Sequence, residues 1–340
     1  LEIGEQVGNL PHLDPDRHNV LLFSRLNNHS LMETSVAAPS FAEPLVQDLT
    51  QDLDLSQEAL LRVLDLAAQV KRTPPRFAQA LAGRYLSLLF EKPSLRTRVT
   101  FELAIKQLGG DAVTSVGPVG EREPVKDVAR NLDRWTQCIV ARVFSQDTVQ
   151  ELAKWARVPV INALSDLYHP CQALADVQTI QERFGGWEGL KLAYVGDGNN
   201  VAHSLMLTAG RLGMHVAVAT PQGYEPKSQV TFAAGRLGRI TITNDPLEAV
   251  DGAHVVYTDV WASMGHEGEK DARLQTFPPY RVDEALMSRA RPDAIFMHCL
   301  PAKRGEETTD AVMESAQSAV FDQAENRLHA QKGLLLTLLG

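Results

Sequence analysis

The chain has 340 residues, 44% of them hydrophobic and 22% charged, with a formal net charge of −9. That length exceeds one typical compact domain and suggests two, while the acidic balance argues against a nucleic-acid binder and leaves any small anionic ligand to be captured by a local basic cluster. Cys138, Cys171 and Cys299 are far apart and form no CxxC pair, so neither a disulfide framework nor a structural zinc is suggested and a reducing compartment is the easier reading; no run approaches the roughly 18 apolar residues of a membrane span.

Residues 1–45 mix Asn, His, Pro and Ser with no sustained period, and are read as an N-terminal extension of underivable role. An acidic, Arg-poor start without an apolar secretory core has the marks of neither a transit nor a signal peptide. From Asp54 the pattern sharpens: Ser56 can cap a helix with Glu58 in its first turn and Leu60, Leu61, Leu64, Ala67 and Ala68 on one stripe. Apolar runs at 86–90, 111–116, 138–143 and 158–161 then alternate with helical patterns at 99–108, 125–136 and 147–156. This is the alternation of a parallel sheet, whose doubly covered strands read as continuous apolar runs. A helix from near His169 to Phe184 ends at Gly185-Gly186, where the domain boundary falls. The second half repeats the architecture with strands near 191–195, 215–219, 239–243, 254–258 and 294–297. The expected fold is α/β: two domains, 46–184 and 185–324, each a mostly parallel sheet flanked by helices. The amphipathic segment 325–340 should pack back on the first, and the active site should lie in the interdomain cleft.

Ligands of open parallel sheets bind beyond the carboxyl ends of the strands. The strand 86–90 leads to Ser94, Leu95, Arg96, Thr97 and Arg98 at the start of a helix that shows Phe101, Ile105 and Leu108 on one face and stops at Gly109-Gly110. Helix starts suit anions, and guanidinium forks make such a place fit for phosphate; a solvated, capped start with surface arginines satisfies this stretch equally well. Arg142 ends the strand 138–143, and Asn162 and the helix opening at His169-Pro170-Cys171-Gln172 follow 158–161. In the second half the strand ends deliver Asp197-Gly198-Asn199-Asn200, then Asp259 with the turn Trp261-Ala262-Ser263-Met264-Gly265, then His298-Cys299-Leu300-Pro301. Singly these residues have plain readings: an ion-paired Arg142, a capping His169, buried apolar Cys171 and Cys299, a turn at Asn199-Asn200, a packed Met264. Together on one edge they describe a cationic first domain for a phosphate-bearing ligand and a second domain for a polar, amine-bearing one, as in a two-substrate transferase. The run VGDGNNV does not support a nicotinamide site, because Val201 takes the third glycine position and the strand 215–219 ends in Thr220-Pro221 without an acid for the ribose.

FEKPSLRTR, HPCQALAD, DGNNVAHS, DVWASMG, MHCLP and AENRLHAQ occur in that order. Together, from about residue 50 onward, they resemble the ornithine carbamoyltransferases of the aspartate/ornithine carbamoyltransferase superfamily. The resemblance implies transfer of a carbamoyl group from carbamoyl phosphate to the δ-amine of ornithine, giving citrulline and phosphate. It implies no cofactor or metal, a cytoplasmic enzyme of arginine metabolism, and a homotrimer or multiple of trimers with sites near subunit contacts. Carried over by motif, Ser94, Leu95 (through its backbone), Arg96, Thr97 and Arg142 would hold the phosphate. His169, Gln172, Cys299 and Leu300 would address the carbamoyl group, with Arg327 reaching back to the same region. Asn200, Asp259, Ser263 and Met264 would bind ornithine, and Arg142, His169, Asp259 and Cys299 would be catalytic. Closure of the Ser263-Met264-Gly265 turn would exclude water.

Two positions depart from the family pattern. Leu95 stands where a hydroxyl residue is usual, a change that keeps the backbone N–H but loses a hydrogen bond worth roughly 1.5–3 kcal/mol to a charged group. Pro118 lies in a segment where many relatives carry a glutamine that reaches a neighbouring subunit's phosphate, with Arg122 nearby as a substitute. These departures keep two alternatives open: a carbamoyltransferase for another amine, such as putrescine or an N-acylornithine, and a non-catalytic carbamoyl-phosphate-binding paralogue.

Overall fold

Ser56 caps the first α-helix. Its hydroxyl accepts the Ala59 N–H at 3.1 Å, and α1 (Gln57–Arg72) buries Leu60, Val63, Leu64, Ala67 and Val70 along one face. The computed structural model describes residues 46–92, 94–262 and 267–340. The expected extension 1–45 and the two proposed ornithine contacts Ser263 and Met264 lie outside the described residues.

After α1 come β1 (Tyr85–Phe90), α2 (Leu95–Gln107), β2 (Asp111–Val116), α3 (Val125–Trp135), β3 (Cys138–Arg142), α4 (Gln146–Trp155), β4 (Val160–Leu164) and α5 (Pro170–Phe184). The four strands are parallel, in the order β2-β1-β3-β4. Each crossover is a helix, as parallel neighbours require. Gly185, at φ 80°, ends α5 in the left-handed region that its missing side chain permits. A second sheet follows with β5 (Lys191–Val195), α6 (Asn200–Arg211), β6 (His215–Ala219), α7 (Ser228–Gly235), β7 (Arg239–Thr243), α8 (Pro246–Val250), β8 (Val255–Thr258), α9 (Lys270–Thr276), α10 (Glu284–Met287), β9 (Ile295–His298), α11 (Asp310–Met313) and α12 (Val320–Leu339). Its strands are also parallel, ordered β7-β6-β5-β8-β9. The expected α/β class is therefore observed. In each sheet the winding reverses once, between β1 and β3 and between β5 and β8, and such reversals open a crevice at the strand ends.

Three differences from the sequence reading have physical causes. β4 begins at Val160 and runs to Leu164, so Asn162 is inside the strand and fully buried, not beyond its end. Leu49 runs beside it, donating its N–H to Val160 and accepting that of Asn162. Asn162 Nδ2 donates to the Thr50 carbonyl at 2.9 Å and Gln146 Oε1 at 3.1 Å. β2, read as a doubly covered strand, is an exposed edge with Val113 65% and Val116 57% accessible. α2 starts at Leu95, and α12 at Val320, each several residues before its apolar period becomes visible.

α12 packs against α1, α2 and α5. Its crossing of α1 is so close that a Cβ on Gly333 would stand 2.3 Å from the Val63 carbonyl oxygen and 2.8 Å from the Ala67 nitrogen. Neither backbone atom can yield without parting the helices. Gly333→Ala is expected to destabilise the fold by about 1–3 kcal/mol, read as a lower urea midpoint at unchanged slope; a midpoint equal to that of the parent would refute the close crossing.

Candidate active site

The turn after β1 is held from behind by Glu91, whose carboxylate accepts the N–H groups of Val119 at 3.0 Å and Phe144 at 2.6 Å. Ser94 then occupies the N-cap of α2 without a side-chain capping bond. Its hydroxyl and the first N–H groups of α2 are thereby left to a ligand. Thr97, one turn on, is buried and accepts from Arg142 Nη1 at 3.5 Å and Arg327 Nη2 at 3.2 Å. One hydroxyl thus collects arginines from the end of β3 and from α12, 230 residues away in sequence.

Arg96, Arg142 and Arg327 stand close enough to disturb one another. Burial, with Arg327 and Arg96 beside it, pushes Arg142 down to about 10. Arg96 and Arg327 are also lowered, chiefly by burial. All three are guanidiniums, so this wall is cationic. His169, the N-cap of α5, is buried with Nδ1 unpartnered, and burial together with the three arginines holds its imidazole neutral.

Gln172 is also buried, but it is not part of the cavity wall. It stands behind Arg327, accepting from Nη1 at 2.5 Å and donating to Asp176 Oδ1 at 2.8 Å. Asp176, raised to about 7 by burial, also accepts from Gln323 Nε2 at 2.7 Å, and Gln323 Oε1 accepts the His298 N–H at 2.9 Å. This buried relay joins Arg327 to the end of β9.

The facing wall comes from the second sheet. Asn199 caps α6 by accepting from Val201 and Ala202 N–H, and its Nδ2 donates to Asp259 Oδ2 at 2.8 Å. The other carboxylate oxygen accepts the Val260 N–H at 2.8 Å and the Cys299 thiol at 3.0 Å. Burial and then Asp259 raise the Cys299 pKa well above the usual thiol range, so the sulfur stays protonated. Next to it Leu300 adopts φ 58°. Its N–H donates to His298 Nδ1 at 2.8 Å, which leaves Nε2 to face Glu307 at 3.2 Å. Asp259, His298 and Cys299 present ligand atoms within 4.8 Å of one another. Both His298 nitrogens and the thiol are already engaged in hydrogen bonds, however, so the trio reads as a hydrogen-bonded cluster.

These walls enclose a cavity of about 430 Å³. Ser94, Leu95, Arg96, Thr97, Arg142, His169, Asn200, Asp259, Cys299, Leu300 and Arg327 all line it. Lys92, Leu164, Val201, Val260, Ala262 and Pro301 complete it; the sequence gives none of them a site role, although all but Leu164 sit within the quoted motifs. Pro118 lies instead in a separate surface hollow with Gly117, Val119 and Arg122. The buried Arg273 was also not anticipated. It pairs with Asp197 at 2.9 Å, donates to the Trp261 carbonyl at 2.7 Å and lies over the rings of Tyr224 and Phe277. It thereby ties α9 to the turns after β5 and β8.

The chain is similar to known proteins over most of its length. A family profile described as the carbamoyl-P binding domain of aspartate/ornithine carbamoyltransferase matches residues 47–182, and the corresponding Asp/Orn binding domain matches 188–338. The ornithine carbamoyltransferase of Synechocystis sp. is 50% identical over 301 residues, covering 86% of this chain and 97% of the relative. That of Thermus thermophilus is 52% identical over 299 residues, covering 87% and 97%. The solved ornithine carbamoyltransferase of Pyrococcus furiosus superposes with a TM-score of 0.84 at 47% identity, covering 88% of this chain and 99% of that one.

The state of Cys299 can be checked without substrate. At pH 8 its alkylation by iodoacetamide should be slower than that of a free cysteine, because the thiolate is the reacting species. Asp259→Asn removes the neighbouring charge and should speed labelling, followed site by site by mass spectrometry. Slower labelling in that variant would contradict the electrostatic account.

Proposed function

The chain belongs to the aspartate/ornithine carbamoyltransferase family, and on that premise we propose that it transfers the carbamoyl group of carbamoyl phosphate to the δ-amine of L-ornithine, releasing L-citrulline and phosphate. The observation that carries the reading is the pairing of walls: three arginines and a neutral imidazole on one side, an Asp259–Cys299 pair on the other. Residues 46–184 hold carbamoyl phosphate in this proposal, and 185–324 hold ornithine.

The phosphate lies at the start of α2, against Ser94, the Leu95 N–H, Arg96, Thr97 and Arg142. The carbamoyl group projects toward His169, Arg327, Cys299 and Leu300, with Gln172 acting on it through Arg327. Ornithine enters from the second sheet, its δ-amine at Asp259 and the rest of the molecule near Asn200. Attack needs a neutral amine, whereas a free alkylamine is protonated near pH 7. The δ-ammonium gives up one proton to bulk solvent as it binds; Asp259 aligns the neutral amine, and the protonated Cys299 orients it and takes no proton from it. The nitrogen lone pair forms the C–N bond, charge builds on the carbamoyl oxygen, and the bond from carbon to the bridging phosphate oxygen breaks. Fixed donors at Thr97, Arg142 and His169 stabilise that oxygen. The departing phosphate, neutralised by Arg96 and Arg142, accepts the proton shed by nitrogen. Holding two substrates side by side supplies much of the acceleration.

Assembly as a homotrimer fits the surface beside the site. Leu95, Val99 and Leu103 recur every fourth residue on α2, are 75%, 37% and 41% exposed, and adjoin the exposed edge β2. An apolar stripe of this kind marks a protein contact. The three cysteines are free thiols, which suits a reducing compartment such as the cytoplasm, and no helix among the described residues is long and apolar enough to cross a membrane.

Purified protein given carbamoyl phosphate and ornithine should form citrulline and should prefer ornithine over putrescine and N-acetylornithine by specificity constant; absence of product at saturation would sink the reading. Arg96→Ala should lower turnover by about 10²–10³-fold with an unchanged melting temperature, and wild-type-like kinetics would remove Arg96 from the site. Light scattering should give three times the chain mass, falling for the double variant Val99→Lys, Leu103→Lys; a mass unaffected by these charges would place the contact elsewhere.

A further inference from the structure

The cleft is bounded on one side by a polar seam that shares only His169 and Asn200 with the groups assigned above. Along α6, Asn200, Ser204 and Thr208 recur every fourth residue and so share a face. That face meets the segment leading into α5. Asn200 Nδ2 donates to the Ser165 carbonyl at 2.6 Å, and the His169 N–H donates to Ser204 Oγ at 2.9 Å. The far end of the seam is closed by Asp52, in the short 3-10 turn Asp52–Asp54 that precedes α1. Its carboxylate accepts the Ser204 hydroxyl at 2.6 Å and the Thr208 hydroxyl at 3.0 Å. All of these groups are buried, Asp52 at 5% exposure and Ser204 at 1%.

The chemistry of that junction is directional. A serine hydroxyl has one proton to give. Here it goes to the carboxylate, in the short contact typical of a charged acceptor. The proton and the rotamer of Ser204 are therefore both committed, and a lone pair is held toward the His169 N–H. His169 sits at the N-cap of α5 in an irregular conformation, φ −135° and ψ 61°, so its ring position depends on where that N–H is anchored. We propose that Asp52 is a positioning residue that acts through Ser204 to fix the backbone of His169, and with it the imidazole in the cavity. The proposal rests on the reading of His169 as a group that faces the carbamoyl oxygen.

A purely structural carboxylate would be an odd choice here. Burial raises Asp52 to about 6, only partly offset by the Ser204 and Thr208 hydrogen bonds. Its folded pKa lies above the unfolded value of 3.8, so its contribution to stability is present in acid and fades as pH rises through about 6. Near neutrality the ionised form is kept against stability. The charged and titratable groups around it are Asp54 on its own turn, Tyr168 and Cys171 at the start of α5, and Arg211 on α6. Of these only Arg211 is a cation, and it is only partly buried.

The test compares Asp52→Asn, Ser204→Ala and His169→Asn in the full chain by steady-state kinetics from pH 5 to 9. Asp52→Asn should lower kcat by about tenfold or more, with KM for both substrates within about threefold of wild type. An acid limb near pH 6 present in the parent should be missing from the variant, while its melting temperature at pH 8 is no lower than the parent's. Coupled to His169→Asn, the effect should be far from additive. Should Asp52→Asn fail to fold, Ser204→Ala decides by the same split of kcat from KM. An Asp52→Asn enzyme with unchanged kcat and pH profile beside a crippled His169→Asn overturns the proposal alone. A silent His169→Asn overturns the role of His169 and this proposal with it.

Discussion

The structure is organised around a repulsion. Arg96, Arg142 and Arg327 converge on one side of the cavity, two of them on the single hydroxyl of Thr97. Like charges brought together away from water are unfavourable, and the fold accepts this by rigid means. Arg142 is set at the end of a sheet strand, Arg96 at the start of a helix, and Arg327 in a helix wedged against three others. Because rigid elements carry the three cations, the positive charge of this wall is fixed in place. Burial, together with the same field, keeps His169 neutral.

The opposite wall answers with restraint of a different kind. Asp259 is gripped by Asn199, the Val260 N–H and the Cys299 thiol, so its negative charge is aimed but not neutralised. Behind it the His298–Glu307 pair fixes the Leu300 N–H. Gln323 and Asp176 link that turn back to Arg327 through Gln172. The two walls therefore share a buried amide and carboxyl relay, and a disturbance at the end of β9 has a continuous path to Arg327.

Much of this was legible in the residues. Parallel strands covered on both faces leave uninterrupted apolar runs, and the strands of the second sheet were placed within a residue of their observed bounds for that reason. The rule that strand ends carry chemistry then led to Arg142, Asp259 and Cys299. The misses have a common cause. Asn162, Arg273 and Asp52 owe their roles to partners distant in sequence, such as Thr50 for the first, Asp197 for the second and Ser204 for the third. No local period reports such contacts. β2 differs because an exposed edge strand can carry as apolar a run as a covered one, with Val113 and Val116 in the open.

The close crossing at Gly333 and the position of Arg327 belong to one helix. The backbone contact that seats α12 on α1 therefore also sets where the third guanidinium stands, and Gln323, one turn earlier on the same helix, sets where the buried relay meets the end of β9. A substitution at Gly333 that shifts α12 carries Arg327 and Gln323 with it, so the fit of a single helix pair is felt on both walls of the cavity.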